Sequence, residues 1–233
     1  MYEMEKRVVY RHEYKFIINA AQQAEIRRRL ACVAKLDTHA TPNGTYLIRS
    51  LYFDDLFDRV LAEKKDGADC RTKFRLRCYN GDLSFLLLEK KSKRNGMSRK
   101  QSCRITQEEC RRLLAGDSSW LLQDPERVPA PQLYAAMQTE LLKPRTVVEY
   151  IREPYVYEPG NVRITFDRCV RTGLQATDFL NPQLPTVAVT SGRTCVLEVK
   201  YDDFLPEIIA WAMAPIGQLR TSFSKYEACR IYG

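Results

Sequence analysis

The sequence predicts an α+β protein, a single domain over residues 1–233, in which eight antiparallel strands form a tunnel-like β-barrel with helices packed outside. Three observations predict it. Charged residues alternate along five strand-like runs: Arg11, Glu13, Lys15; Lys73, Arg75, Arg77; Glu89, Lys91; Arg163, Thr165, Asp167; Glu198, Lys200. Side chains two apart on a strand share a face, so each run shows charge on one side and apolar residues such as Phe74, Leu76, Ile164 and Phe166 on the other. The connections between runs are short, as antiparallel pairing allows. No repeat, low-complexity tract or long linker marks a second domain. Charged faces pressed against an apolar layer would be costly, whereas charged faces around a wet tunnel repel one another until a polyanion neutralises them.

The elements follow in order. Residues 8–18 alternate as a strand, and residues 20–36 read as an amphipathic helix with Ile26, Leu30 and Val33 on one stripe and Arg27 to Arg29 on a solvated face. After the turn-rich stretch 39–44 come a strand at 46–53 and a short helix at 56–64, closed by Asp66-Gly67. Strands at 71–79, 84–91 and 98–105 make a meander, the first two joined by Asn80-Gly81-Asp82, a strong hairpin signal. Thr106 with Glu109 is a capping box, so a helix spans 106–115 and Gly116 ends it. Prolines at 125, 129 and 131 mark a surface connection before a helix at 132–142. Strands return at 145–157, 162–171 and 194–201, and helices at 206–214 and 222–231 finish the chain.

Composition narrows the function. Thirty-seven Lys and Arg against 29 Asp and Glu leave a net charge of +8, which favours an anionic partner. A nucleic acid is disfavoured, because the cations alternate inside core-like strands instead of forming an exposed stripe with stacking aromatics. Eight cysteines without a CxxC pair, and only His12 and His39, argue against a zinc site. The N-terminal residues contain no apolar signal-peptide core, so a cytoplasmic location with reduced thiols is expected. No apolar run approaches the roughly 18–20 residues of a membrane-spanning helix. His12 lies on the strand face opposite Glu13 and reads as structural, and His39 reads as a loop residue with no partner visible in sequence.

Seven motifs in order, Tyr10-Arg-His-Glu-Tyr-Lys15-Phe, Ile48-Arg49-Ser-Leu-Tyr52-Phe-Asp54, Lys73-Phe-Arg75-Leu-Arg77, Leu88-Glu89-Lys-Lys91, Val162-Arg163-Ile-Thr-Phe-Asp167, Leu197-Glu198-Val-Lys200-Tyr and Ser222-Phe-Ser-Lys225-Tyr226, resemble the VTC domain, the polyphosphate polymerase branch of the triphosphate tunnel metalloenzymes. The resemblance covers residues 8–226. It implies transfer of the γ-phosphoryl of ATP, or another nucleoside triphosphate, to a growing inorganic polyphosphate chain, with Mn²⁺ or Mg²⁺ as cofactor. By position, Lys15, Arg75, Arg77, Arg152, Arg163 and Lys225 would be catalytic, and these together with Arg49, Lys91, Lys100, Tyr150 and Lys200 would bind phosphate. Glu198 would hold the metal, with Glu13 and Glu89 as further ligands or as counter-charges for the tunnel lysines. The triphosphate would be gripped and the base left mostly outside. A separate membrane protein that receives the polymer is a further expectation of the resemblance.

One departure bears on the reaction. Hydrolytic relatives of this fold begin with Glu-x-Glu-x-Lys, and here Arg11 stands at the first Glu position. Losing that carboxylate disfavours activation of water and favours a phosphate acceptor. The rivals are a tripolyphosphate or nucleoside triphosphate hydrolase, a non-catalytic polyphosphate-binding module and, from another class, an RNA-binding protein.

Overall fold

The computed structural model describes residues 10–192, 194–217 and 220–231, so residues 8 and 9 of the expected first strand lie outside the described residues. In chain order the elements are β1 (His12–Ile18), α1 (Ala20–Leu30), β2 (Lys35–Leu36), β3 (Tyr46–Asp54), α2 (Arg59–Lys65), β4 (Arg71–Tyr79), β5 (Asp82–Arg94), β6 (Met97–Ile105), α3 (Gln107–Leu114), α4 (Pro129–Thr139), β7 (Lys143–Tyr157), β8 (Val162–Thr172), β9 (Val187–Ala188), β10 (Cys195–Tyr201), α5 (Glu207–Ala212) and α6 (Lys225–Arg230). Eight of the strands follow the order β1-β10-β8-β7-β3-β4-β5-β6, every neighbouring pair antiparallel, and the two-residue strands β2 and β9 pair β7 and β8. The sheet curls until its two ends meet. There Arg11 N donates to Ser98 O at 2.9 Å and Ser98 N to Arg11 O at 3.0 Å, joining the start of the chain to β6.

Local chemistry sets the boundaries. Asn80 and Gly81, with φ of 53° and 73°, make the two-residue turn that suits the twist of a hairpin. Asn95-Gly96 repeats that geometry (49° and 78°) between β5 and β6. The Thr106 box caps α3 as expected, and a second box, Asn19 with Gln22, caps α1. Helix α1 stops at Leu30, six residues short of the expectation, because Lys35–Leu36 leaves it to pair with β7.

Two apolar layers lie outside the curled sheet. Leu76, Leu86 and Leu88 turn outward onto Cys110, Leu113, Trp120 and Leu133 of the α3 to α4 region. Ile164, Phe166, Leu197 and Val199 turn outward onto Ile26, Leu30 and Ile209 of α1 and α5. Each such side chain contributes about 1.5–3 kcal/mol when fully buried. This outer packing lets the inner face carry charge. No helix among the described residues is long and apolar enough to cross a membrane.

Candidate functional site

The alternation places one set of charges inside. A cavity of about 310 Å³ runs through the curled sheet, lined among the described residues by fifteen lysines and arginines and two glutamates, Glu13 and Glu198. Its walls come from β1 (Glu13, Lys15), β4 (Lys73, Arg75, Arg77), β5 (Lys91), β6 (Lys100), β7 (Tyr150, Arg152), β8 (Arg163), β10 (Glu198, Lys200) and the segment that enters α6 (Lys225). All the expected site cations except Arg49 therefore meet in one space.

Four carboxylates organise these cations. Glu13 takes Lys91 Nζ at 2.6 and 2.8 Å, the Ser98 hydroxyl at 3.0 Å and Lys15 at 3.3 Å. Glu89, fully buried, takes Arg75 at 2.6 Å, Lys100 at 2.8 Å and Arg77 at 3.4 Å. Asp167, also fully buried, accepts from Arg152 Nε and Nη2, one edge of the guanidinium, at 2.6 and 2.7 Å and meets Lys225 at 2.6 Å. Glu198 meets four cations more loosely, Lys225 at 3.2 Å, Lys200 at 3.3 Å, Lys15 at 3.4 Å and Arg152 at 3.4 Å. The short bidentate pairs fix arginine geometry, while the longer contacts around Glu198 leave its oxygens shared.

The electrostatics follow this division. Burial opposes ionisation of Glu198, but Lys225, Lys200 and Lys15 overcome it and hold the carboxyl well below the usual range. Glu13 is depressed in the same way by Lys91, Lys200 and Lys15. Burial also opposes the charge on Lys225, and Asp167 and Glu198 reverse that and raise its pKa. Among the described residues Lys73 meets no carboxylate, and its ammonium sits 5.2 Å over the Tyr226 ring. Burial first, then Lys15, Lys91 and Arg71, push it down to about 7. Lys91 falls to about 8, mainly through burial, despite Glu13.

Tyrosines brace the guanidinium layer. Tyr52 OH accepts from Arg75 at 2.9 Å, and Tyr150 OH accepts from Arg77 at 3.3 Å while its ring lies under Lys225 at 4.7 Å and Arg152 at 5.4 Å. Arg163 reaches Asp37 at 2.6 Å and Tyr46 OH at 2.9 Å, near one end of the cavity.

One expectation needs correction. Arg49 alternates onto the outer face of β3, where it binds Glu149 at 2.6 Å and carbonyls of the 179–182 loop, so it does not line the cavity. Of the two roles open to Glu89, its burial, its absence from the cavity lining and its contacts with Arg75, Arg77 and Lys100 favour the counter-charge. For a metal, no group of three or more His, Cys, Asp or Glu suited to one occurs among the described residues. The donors that converge are Glu13 and Glu198, both on Lys15. Hard oxygens in this number fit Mg²⁺ or Mn²⁺ completed by phosphate oxygens and water, not an all-protein cage.

Comparison with known proteins now bears on the site. A family model described as VTC domain matches residues 10–231. The chain belongs to the VTC domain family. Among solved structures, PH1012 from Pyrococcus horikoshii is similar at 17% identity and a TM-score of 0.49, covering 94% of this chain and 99% of that one. PH1819 of the same organism gives 15% and 0.46 over 94% and 97%. A putative adenylate cyclase from Bacillus halodurans gives 12% and 0.45 over 82% and 81%. No curated protein matches.

Other cavity residues of the VTC domain were not assigned to the site from sequence: Arg71, Lys93, Lys64 and Arg99, with the tyrosines 46, 52, 79 and 226, of which Tyr52 and Tyr226 stand within the motifs. Arg71 and Lys93 extend the alternation of their own strands by one step, so the signal was present. Lys64 comes from helix α2, and strand periodicity is blind to it. The two histidines have local partners: His12 stacks on Tyr201 at 4.8 Å and His39 Nδ1 meets Asp37 at 2.8 Å.

Proposed function

We propose that this VTC domain is a metal-dependent polyphosphate polymerase, transferring the γ-phosphoryl of a nucleoside triphosphate such as ATP to the end of an inorganic polyphosphate chain. The carrying observation is the cavity, in which fifteen cations among the described residues outnumber Glu13, Glu198 and the carboxylates behind the wall such as Glu89 and Asp167, a charge excess that a polyanion would neutralise. Lys15, Arg75, Arg77, Arg152, Arg163 and Lys225 are assigned to the reacting phosphates, with Lys91, Lys100, Lys200 and Tyr150 as further phosphate contacts. Glu198, supported by Glu13, is assigned to the metal.

The chemistry asks little covalent work of the protein. Phosphoryl transfer is carried by alignment and by neutralising charge on the equatorial oxygens. Arg152 and Arg75, immobilised by Asp167 and Glu89, present guanidinium edges without reorganising. Lys15 and Lys200, on longer contacts, can exchange a carboxylate for a phosphate oxygen. When bound, Mg²⁺ or Mn²⁺ would supply further neutralisation of the bridging and γ oxygens. Arg11 supports a phosphate acceptor over water. It is turned to Asp202 at 2.7 Å and its backbone closes the barrel, so no carboxylate stands where the hydrolytic relatives carry one.

The test is incubation with γ-labelled ATP and Mn²⁺ or Mg²⁺, with products resolved by size. A ladder of polymer supports the proposal. Free phosphate alone assigns a triphosphatase, and binding of polyphosphate without turnover assigns a binding module.

A further inference from the structure

Beyond the guanidinium layer lies a group of rings that phosphate binding does not use. Tyr79 lines the cavity two residues past Arg77 on the same face of β4, roughly 6.6 Å further along at ~3.3 Å per residue. Tyr46, also in the lining, stands opposite Arg152 in the strand register and meets Tyr79 edge-to-face at 5.5 Å and 82°. Its hydroxyl is held by Arg163, which fixes the ring. Phe85 continues the group at 6.5 Å from Tyr79 and 49° to it, and remains 39% exposed. Its ring carries the Arg104 guanidinium at 4.8 Å, a flat cation already stacked on this rim.

Two features set this end apart. Around Lys73, Arg71 and Lys93 the wall is cationic, and its rings are already engaged, Tyr226 lying beneath Lys73 and stacked on Tyr52 at 5.1 Å. Around Arg163 it pairs guanidinium with aromatic rings, the combination that holds a phosphate and a flat heterocycle together. Neither Tyr46 nor Phe85 lies parallel to Tyr79. A planar ligand can therefore stack on Tyr79 without displacing an existing stack.

We infer that the Tyr46–Tyr79–Phe85 rim is a nucleobase-stacking subsite that receives the base of a nucleoside triphosphate whose phosphates lie on Arg77, Arg152 and Arg163. This rests on the reading of the cavity as a triphosphate site and adds where the donor's base sits and which end it enters. The step from Arg77 to Tyr79 is about what a ribose spans between phosphate and base. Recognition is by ring face, with no base-edge donor or acceptor assigned. The subsite thus separates nucleotides from bare tripolyphosphate without separating adenine from guanine, since every base has a π-face.

The experiment is calorimetric titration of wild type, Tyr79→Ala and Tyr79→Trp with ATP, GTP and inorganic tripolyphosphate in the presence of Mg²⁺. Tyr79→Ala should weaken ATP and GTP alike by about 5- to 150-fold, the range that stacking of one base on an aromatic side chain supports. Tripolyphosphate affinity should stay within about twofold in that variant, which also shows that the cavity is intact. Tyr79→Trp should restore nucleotide binding. Equal loss for all three ligands, or no loss for the nucleotides, overturns the subsite while leaving the cavity as a triphosphate site. If wild type binds none of the three, both the subsite and the triphosphate reading fall.

Discussion

Lys73 is the tunnel lysine whose proton is easiest to remove. Its folded-state pKa of about 7 lies below the unfolded value of roughly 10.4. Below pH 7 both states are protonated and the full cost of burying the charge is present. Between about 7 and 10 the unfolded chain holds more protons, so this residue makes stability rise with pH across that window. Lys91, at about 8, acts in the same direction. Thermal melts from pH 6.5 to 9.5 should show a shallower pH slope for Lys73→Met than for wild type; an unchanged slope would remove Lys73 from this role. Glu198→Gln should abolish metal-dependent turnover while leaving polyphosphate affinity unchanged or tighter, because one negative charge leaves a cavity already rich in cations. Activity assay and calorimetry together check this, and unchanged turnover would sink the assignment of Glu198. Sequence alternation brought Glu13, Glu89, Glu198 and Asp167 onto inner faces correctly. It could not say which carboxylate would be sealed by arginines, since that depends on partners from β4 and β6 that meet Glu89 only in the folded sheet.

At the scale of single elements, α6 matters most, because it carries Lys225 into the cavity from outside the barrel wall. Its anchor is Asp54. This fully buried carboxylate accepts from the backbone of Asp55, Val60 and Leu61 and from Tyr226 OH at 2.5 Å. One side chain thus caps the start of α2 and tethers α6, whose Tyr226 also stacks on Tyr52 at 5.1 Å. Removing the tether with Tyr226→Phe leaves a buried carboxylate one partner short, a loss of about 1–3 kcal/mol. If the tether also positions Lys225, Tyr226→Phe should lower kcat in the wild-type background and add little on top of Lys225→Met. Additive effects would make the tether purely structural. From sequence, α6 was legible as a helix, but its length was overread: residues 222–224 are an extended lead-in whose Ser224 hydroxyl caps the helix and whose Phe223 carbonyl accepts from Lys15. The same local blindness lengthened α1, where only the pairing of Lys35–Leu36 with a strand more than a hundred residues away ends the helix.

For the whole molecule, the alternation of charge was enough to predict a tunnel, because the same strands supply an apolar outer face and helices to cover it. What the alternation did not carry was the stagger of the sheet, which decides that the start of β1 meets the start of β6. A cavity with so large a charge excess should bind polyanions in a strongly salt-dependent way. Tripolyphosphate affinity should fall several-fold between 50 and about 200 mM salt through screening and ion release. A flat salt dependence would contradict phosphates lying along the charged walls.

The closure itself is unequal around the ring. Along the order of the eight long strands, neighbours are joined by ladders of five or more residue pairs, whereas among the described residues a single backbone pair, Arg11 with Ser98, joins the ends. Mechanically the barrel is a clasped cuff more than a pipe. Among the described residues the fastening gathers on one strand: Arg11 pairs with Ser98, and Glu13, beside Lys15, bonds Ser98 and Lys91 across the same seam. Loosening the fastening would widen the lumen and move Glu13 and Lys15 at the same moment, so girth and charge placement are adjusted together.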